Sequence, residues 1–239
     1  LNDPDQIPKT FAEAFALVAG LEGPLNERLA IYQQHSRRLG PKGAAAYDRL
    51  AERLTALDRD AIGPAVGTPM PEFLLPDQDG HLVDLESLRQ SGPVVVSFNR
   101  GHWCPYCRLD LRALAAVAPE VARLGGRVVS IVPERAEFTR RLATEHQLPF
   151  LFLSDVDLSY ALELGLIFWI GEELKTLYDA AGVDLARYQG GEGTFLPVAA
   201  KFVVGTDGVV KARGVDVEYR QRTEPSAILA ALCNLKNGV

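Results

Sequence analysis

The sequence predicts an α/β fold in which a central mixed sheet is flanked by helices. Between residues 93 and 164, short β-branched runs alternate with helix-length amphipathic segments, a spacing that argues for parallel neighbouring strands. Two further runs, 201–204 and 209–213, flank Thr206-Asp207-Gly208 and predict an antiparallel hairpin. The chain has 239 residues, of which 47 % are hydrophobic, so it can bury one substantial core with an appendage.

Residues 8–60 predict two or three helices, with Phe11, Phe15 and Val18, then Leu25, Leu29 and Tyr32, then Tyr47, Leu50, Leu54 and Leu57 at helical spacing. Gly20, Gly23-Pro24 and Gly40-Pro41-Lys42-Gly43 interrupt them. These apolar stripes need cover, either from the rest of the chain or from the same helices of a second subunit as a homodimer arm, and both readings stand at this point. Gly63-Pro64-Ala65-Val66-Gly67-Thr68-Pro69-Met70-Pro71 is too rich in Gly and Pro for regular structure. It divides an N-terminal helical extension, 1–62, from a main domain, 63–239. A short hairpin about Asp79-Gly80 comes next, then a core strand at 93–99 and a helix running to about 124, where Gly125-Gly126 stops it. A strand at 127–132, a helix at 134–146, a strand at 150–153 and a helix at 157–164 continue the alternation. An insertion, 166–195, is expected to carry one helix at 172–188 and a flap at Gly190-Gly191-Glu192-Gly193, and a helix at 225–235 closes the chain. A parallel β-α-β half followed by an antiparallel hairpin and a terminal helix is the thioredoxin-like plan.

The chemistry concentrates at Cys104-Pro105-Tyr106-Cys107, between the core strand and the following helix. A Cys at a helix start has unpaired N–H groups and the positive end of the dipole beside its sulfur, which lowers the thiol pKa. Cys107 lies one turn on, close enough to bond to whatever forms on Cys104. Pro105 suits the first helical position because its missing N–H has no partner to lose there. Strand, Cys-x-x-Cys, helix reads as a redox-active dithiol.

Other readings fit less well. A structural zinc site lacks further ligands at suitable spacing, since Cys233, His35, His81 and His146 are scattered singly, so no metal is expected. A c-type haem site needs His after the second Cys, where Arg108 stands. Two inert, buried thiols are the competing account. Cys233 falls in the apolar pattern of the last helix and reads as a structural thiol. Ser154-Asp155 reads as a helix cap rather than half of a carboxylate pair, and the Gly190–Gly193 loop lacks the Lys-Ser/Thr of a phosphate loop.

The net charge of −6 is dispersed, with no basic stripe for nucleic acid, and no apolar run reaches the roughly twenty residues that span a bilayer. Leu1-Asn2-Asp3-Pro4-Asp5 has no signal-peptide pattern, and a leader ahead of residue 1 stays open. Three cysteines, two of them in one reactive pair, fit a reducing cytoplasm.

Residues 66–235 resemble the peroxiredoxin family in its alkyl hydroperoxide reductase C and thiol-specific antioxidant branch, in particular the group with a Cys-Pro-Tyr-Cys site. The motifs that carry this are Pro71-Glu72-Phe73 with Leu75-Pro76, Asp79-Gly80, Arg100-Gly101-His102-Trp103-Cys104-Pro105-Tyr106-Cys107, Leu111-Arg112-Ala113-Leu114, Leu196-Pro197-Val198 and Glu224-Pro225. The resemblance implies a peroxidase with Cys104 as peroxidatic and Cys107 as resolving cysteine, needing no cofactor beyond its own sulfur. Its partners would be a peroxide and thioredoxin or a glutaredoxin-type dithiol. Two positions depart from the pattern. Gly101 stands where the family has a Thr or Ser that aligns the peroxide, and Ala199 where it has an Arg or, in thioredoxins, a proline. Pro197 lies two residues away, and the bond before Ala199 is expected to be trans because a cis bond there costs about 3–4 kcal/mol. Arg100 and Arg213 are the candidate replacements to lower the thiol pKa and bind the leaving oxygen, and His102 to supply its proton. Trp103 is expected to cover the dithiol and dock a partner. A glutaredoxin-type disulfide reductase and a redox sensor that signals through its helical arm are the competing functions.

Overall fold

The computed structural model describes residues 7–58 and 61–238, so the Leu1–Asp5 stretch lies outside the described residues. Three helices come first, α1 (Phe11–Ala19), α2 (Leu25–Leu39) and α3 (Pro41–Thr55). Thr10 caps α1 by accepting from the Glu13 N–H, and Pro41 opens α3 with Gly40 as the hinge from α2. A ribbon of β1 (Leu74–Pro76) and β2 (Leu82–Asp84) leads into α4 (Leu85–Arg89), then β3 (Val94–Phe98) and the long α5 (Pro105–Arg123). The alternation continues with β4 (Arg127–Val132), α6 (Ala136–Glu145), β5 (Leu151–Ser154) and α7 (Ser159–Glu163). Asp155 caps α7, accepting from the N–H groups of Tyr160 and Ala161.

The insertion differs from expectation. Its helix breaks into α8 (Glu172–Ala180) and α9 (Leu185–Gln189), because Gly182 turns the chain at a φ of +76°. The two flanking runs, β6 (Ile167–Trp169) and β7 (Phe195–Pro197), pair antiparallel where no strand was expected. The chain closes with β8 (Ala199–Val204), β9 (Val210–Asp216) and α10 (Pro225–Asn237).

The central sheet is ordered β5-β4-β3-β8-β9. β3, β4 and β5 run parallel, and β8 and β9 are antiparallel to their neighbours, as the thioredoxin-like plan requires. Alternation along the strands sorts the core into two faces. Val94, Val96, Phe98 and Phe202 meet the insertion through Leu166, Phe168 and Leu196. Val95 and Val203 meet Leu114 and Val121 of α5 and Ile228 and Leu232 of α10.

Of the two covers open to the N-terminal stripes, the one within the chain is realised. Leu25, Leu29 and Tyr32 of α2 pack with Cys104, Tyr106, Cys107 and Leu109 at the start of α5. The start of α2 has no cap of its own, since its N-cap residue is Pro24, and Glu224 from far along the chain supplies one. Its carboxylate accepts from the N–H groups of Leu25 at 2.9 Å and Asn26 at 2.8 Å. The Asn26 side chain in turn bonds the backbone N–H and carbonyl of Arg222. Among the described residues, no helix is long and apolar enough to cross a membrane.

Candidate active site

Cys104 is the N-cap of α5, and its sulfur accepts from the N–H of Cys107 at 3.4 Å. Each sulfur also faces a buried guanidinium. Arg100 Nη2 lies 3.2 Å from Cys104 Sγ, and Arg222 Nη2 lies 3.5 Å from Cys107 Sγ, which also accepts from the Arg100 backbone N–H at 3.4 Å. Both sulfurs are 0 % exposed, which sequence reasoning did not foresee for a helix start. Cys104 nevertheless lines a cavity of about 440 Å³, and Cys107 does not.

Burial opposes ionisation of both thiols, and the outcome differs between them. It pushes Cys104 well above the ordinary thiol value, aided by its hydrogen bond with Cys107. Cys107 is held well below that value, because its hydrogen bond with Cys104 and the charges of Arg222 and Arg100 outweigh its burial. The two thiols therefore titrate as a pair that shares a proton, with burial weighing most against the charged form at Cys104. That reverses the dipole-based expectation of a low pKa at Cys104 itself. The surrounding charges agree with it: Arg100, Lys201 and Arg222 are buried here with Asp110, and a thiolate supplies a second anion.

Asp110, one turn after Cys107, binds Lys201 Nζ at 2.7 and 2.8 Å and lies 3.5 Å from Arg222 Nε. Burial pushes its carboxyl above the usual range, against the pull of Lys201 and Arg222. Lys201 Nζ also reaches the Thr223 carbonyl at 3.4 Å, so the pair braces the loop that carries Arg222.

Tyr106 packs edge-on against Tyr32 and Tyr219, and burial pushes its phenol up to about 12, which keeps it protonated. Trp103 lines the cavity edge-on to Tyr178, and Pro105 lines it at the first position of α5. The Arg100 guanidinium lies 4.8 Å from the Tyr219 ring centre and 5.8 Å from that of Trp103.

Three expected contributors sit elsewhere. Arg213 pairs with Phe202 across β8–β9, so alternation puts it on the sheet face away from α5, where it donates to the Ile62 carbonyl. His102 turns from the cavity to Glu134, with Nδ1 2.8 Å from Oε1, and its ring stacks on Phe138. It is not among the residues that line the cavity beside Cys104. Pro197 is held in β7 opposite Ile167, does not line the cavity, and follows the pattern of the described residues in having no cis bond. The glycine flap does not line the cavity either, since Gly190 closes α9 against Arg135. Cys233 is half-buried against the α5–α10 cluster, as a structural thiol would be.

The AhpC/TSA family model matches residues 66–213, from the Gly-Pro boundary to the last strand. The chain belongs to the AhpC/TSA family. Peroxiredoxin Bcp of Escherichia coli K12 is 34 % identical over 91 residues, which are 38 % of this chain and 58 % of that relative. The chain thus spans little more than half of that curated relative. Among solved structures, peroxidoxin BcpB from Mycobacterium tuberculosis superposes with a TM-score of 0.54 at 22 % identity, covering 71 % of this chain and 97 % of that one. Xanthomonas campestris bacterioferritin comigratory protein, described for its alkyl peroxide reduction activity, gives 0.51 at 17 % identity, covering 69 % and 92 %. Both likenesses bear on the fold, which is thioredoxin-like.

Within that family frame, the departure at Gly101 has a steric origin. Gly101 sits at a φ of +128°, and a Cβ there would lie 2.4 Å from Glu134 Oε1. The Glu134 carboxylate fills this space to accept from the His102 N–H at 2.8 Å and from the His102 ring. Gly101→Thr is therefore expected to lower stability by about 1–3 kcal/mol, measured by urea denaturation, without raising peroxide reactivity. The guanidinium groups that do face the sulfurs are those of Arg100 and Arg222. Arg222 was not foreseen, because in the sequence it is one of two arginines, with Arg220, in the loop before α10.

Proposed function

We propose that the protein is a thiol-dependent peroxidase that reduces hydrogen peroxide or organic hydroperoxides and is recycled by thioredoxin or a similar dithiol in the cytoplasm. The observation that supports this best is the floor of the cavity. Cys104 and Arg100 line it together, with Arg100 Nη2 3.2 Å from Cys104 Sγ, and the buried Arg100 Nε and Nη1, which have no hydrogen-bond partner, are the donors proposed for a peroxide oxygen. The reaction begins when the shared proton passes to Cys107. Cys104 thiolate attacks the terminal peroxide oxygen, an S–O bond forms as O–O breaks, and the alkoxide or hydroxide leaves toward Arg100 and takes up a proton. Cys107 then attacks the sulfenic sulfur, S–S forms and water departs. Per turnover the dithiol monoanion, one peroxide and one proton give a disulfide, an alcohol or water, and water. A reducing dithiol restores the pair.

Mixing reduced protein with hydrogen peroxide in a stopped flow tests the proposal. A second-order constant well above that of a free thiol, with loss of two hydrogens by mass spectrometry, is expected, and a constant no faster than free thiol refutes it.

The pair's electrostatics carry their own check. Cys107→Ser removes the neighbouring anion that opposes ionisation of Cys104, so the remaining thiol is expected to titrate at lower pH than Cys104 does in the wild type. Thiolate absorbance at 240 nm against pH reads this directly. The wild type should show one thiolate across neutral pH and gain the second only in alkali.

A further inference from the structure

The cavity above Cys104 is far larger than hydrogen peroxide needs, and much of its wall comes from the N-terminal helices and from the insertion. Tyr32 of α2 and Ala44 and Tyr47 of α3 precede residue 66, and Leu177 and Tyr178 belong to the inserted α8. These elements pack on each other, with Tyr47 and Tyr178 rings 6.1 Å apart and their hydroxyls hydrogen-bonded. Their polar ends are thereby occupied, and the ring faces and aliphatic surfaces are left to the chamber. At about 440 Å³ the chamber falls in the range of small-molecule sites, with aromatic and aliphatic walls and the polar side chains of Gln33, Ser36, Arg37, Arg108 and Arg220 also on its lining. Cys104 lines it together with Arg100, which is 3 % exposed and whose Nε and Nη1 have no hydrogen-bond partner.

We propose that α2, α3 and α8 form a binding wall for the body of a bulky hydroperoxide, aromatic or branched, which makes the N-terminal extension and the insertion the specificity element of this chain. The proposal rests on the peroxidase reading. In this pose the hydroperoxyl group meets Cys104 Sγ and the Arg100 donors, while the hydrocarbon body lies between Tyr47, Tyr178 and Trp103. Apolar contact with the body favours binding and excludes water from the reacting group. Hydrogen peroxide makes none of these wall contacts and gains nothing from them.

Two variants narrow the chamber from different elements without touching the sulfurs or their arginines: Ala44→Phe on α3 and Ala181→Phe at the end of α8. Rate constants for oxidation by cumene hydroperoxide and by hydrogen peroxide would be measured for the wild type and both variants. Binding of 2-phenylpropan-2-ol, the unreactive product, would be followed by calorimetry. The wild type is expected to bind the alcohol, and each folded variant to lose about tenfold or more toward cumene hydroperoxide while staying within about twofold toward hydrogen peroxide. Equal loss toward both peroxides, no loss in either variant, or no alcohol binding by the wild type overturns the proposal. If neither peroxide oxidises the wild type faster than free thiol while the alcohol still binds, the peroxidase reading has failed, and the hydroperoxide assignment falls with it.

Discussion

Cys104→Ser is expected to reduce peroxide consumption by about 10⁴-fold or more, because a serine hydroxyl does not ionise at neutral pH and, among the described residues, no other cysteine lines the chamber. The result is not trivial here, since of the two sulfurs it is the Cys107 thiol whose pKa is held low. Charge alone would nominate Cys107 as the nucleophile. Access decides otherwise: Cys104 opens on the cavity and Cys107 does not, and one proton moving between two hydrogen-bonded sulfurs exchanges their roles. The companion Cys107→Ser should therefore keep the first oxidation and lose turnover, leaving a sulfenic acid on Cys104 that dimedone labels. A Cys104→Ser protein that still consumes peroxide, with a Cys107→Ser protein that does not react even once, would exchange the two assignments.

The thioredoxin-like core was legible because its signals are local. β-branched runs at 94–98 and 127–132, Gly125-Gly126 after α5 and the Asp207-Gly208 turn each act over a few residues, and the sheet order follows from handed connections. The dithiol was legible for the same reason. Most of what surrounds it was not, because those contacts join residues far apart in the chain: Arg222 to Cys107, Lys201 to Asp110, Glu224 to the start of α2. Arg213 illustrates the difficulty, since whether a strand residue faces the site depends on register, and a shift of one residue reverses it. His102 shows another, because a ring beside a catalytic Cys can be claimed by a buried carboxylate 32 positions on. One signal was present in the sequence and unused. Asp110 interrupts Leu109 and Leu111, and Lys201 interrupts Ala200 and Phe202, so two opposite charges stand within apolar runs. Charges in such places are rarely buried unless paired, which flags both as partners before any coordinates are known.

That pair gives the largest expected effect on stability. Asp110→Ala removes the carboxylate that Lys201 and Arg222 share, leaving two buried cations without it, Arg222 keeping only the charges of Cys107 and Asp216. Removing one member of a buried pair costs about 3–5 kcal/mol, and for a chain of this size that corresponds to a fall of roughly 6–20 °C in Tm. Lys201→Met should cost less. Asp110 then keeps Arg222 at 3.5 Å, and a carboxyl already pushed upward by burial can take a proton rather than stay charged and alone. Asp110→Leu combined with Lys201→Met should recover part of the loss, because desolvation is avoided on both sides. Urea denaturation of the reduced proteins measures all three. The ordering also separates support of the dithiol from simple packing. Loss of Lys201 removes a buried cation and slackens the loop holding Arg222, so thiolate absorbance should appear at higher pH in Lys201→Met but not in Asp110→Ala, where the cations keep the thiolate as an anion, whereas a packing defect alone would lower stability and leave that titration in place in both.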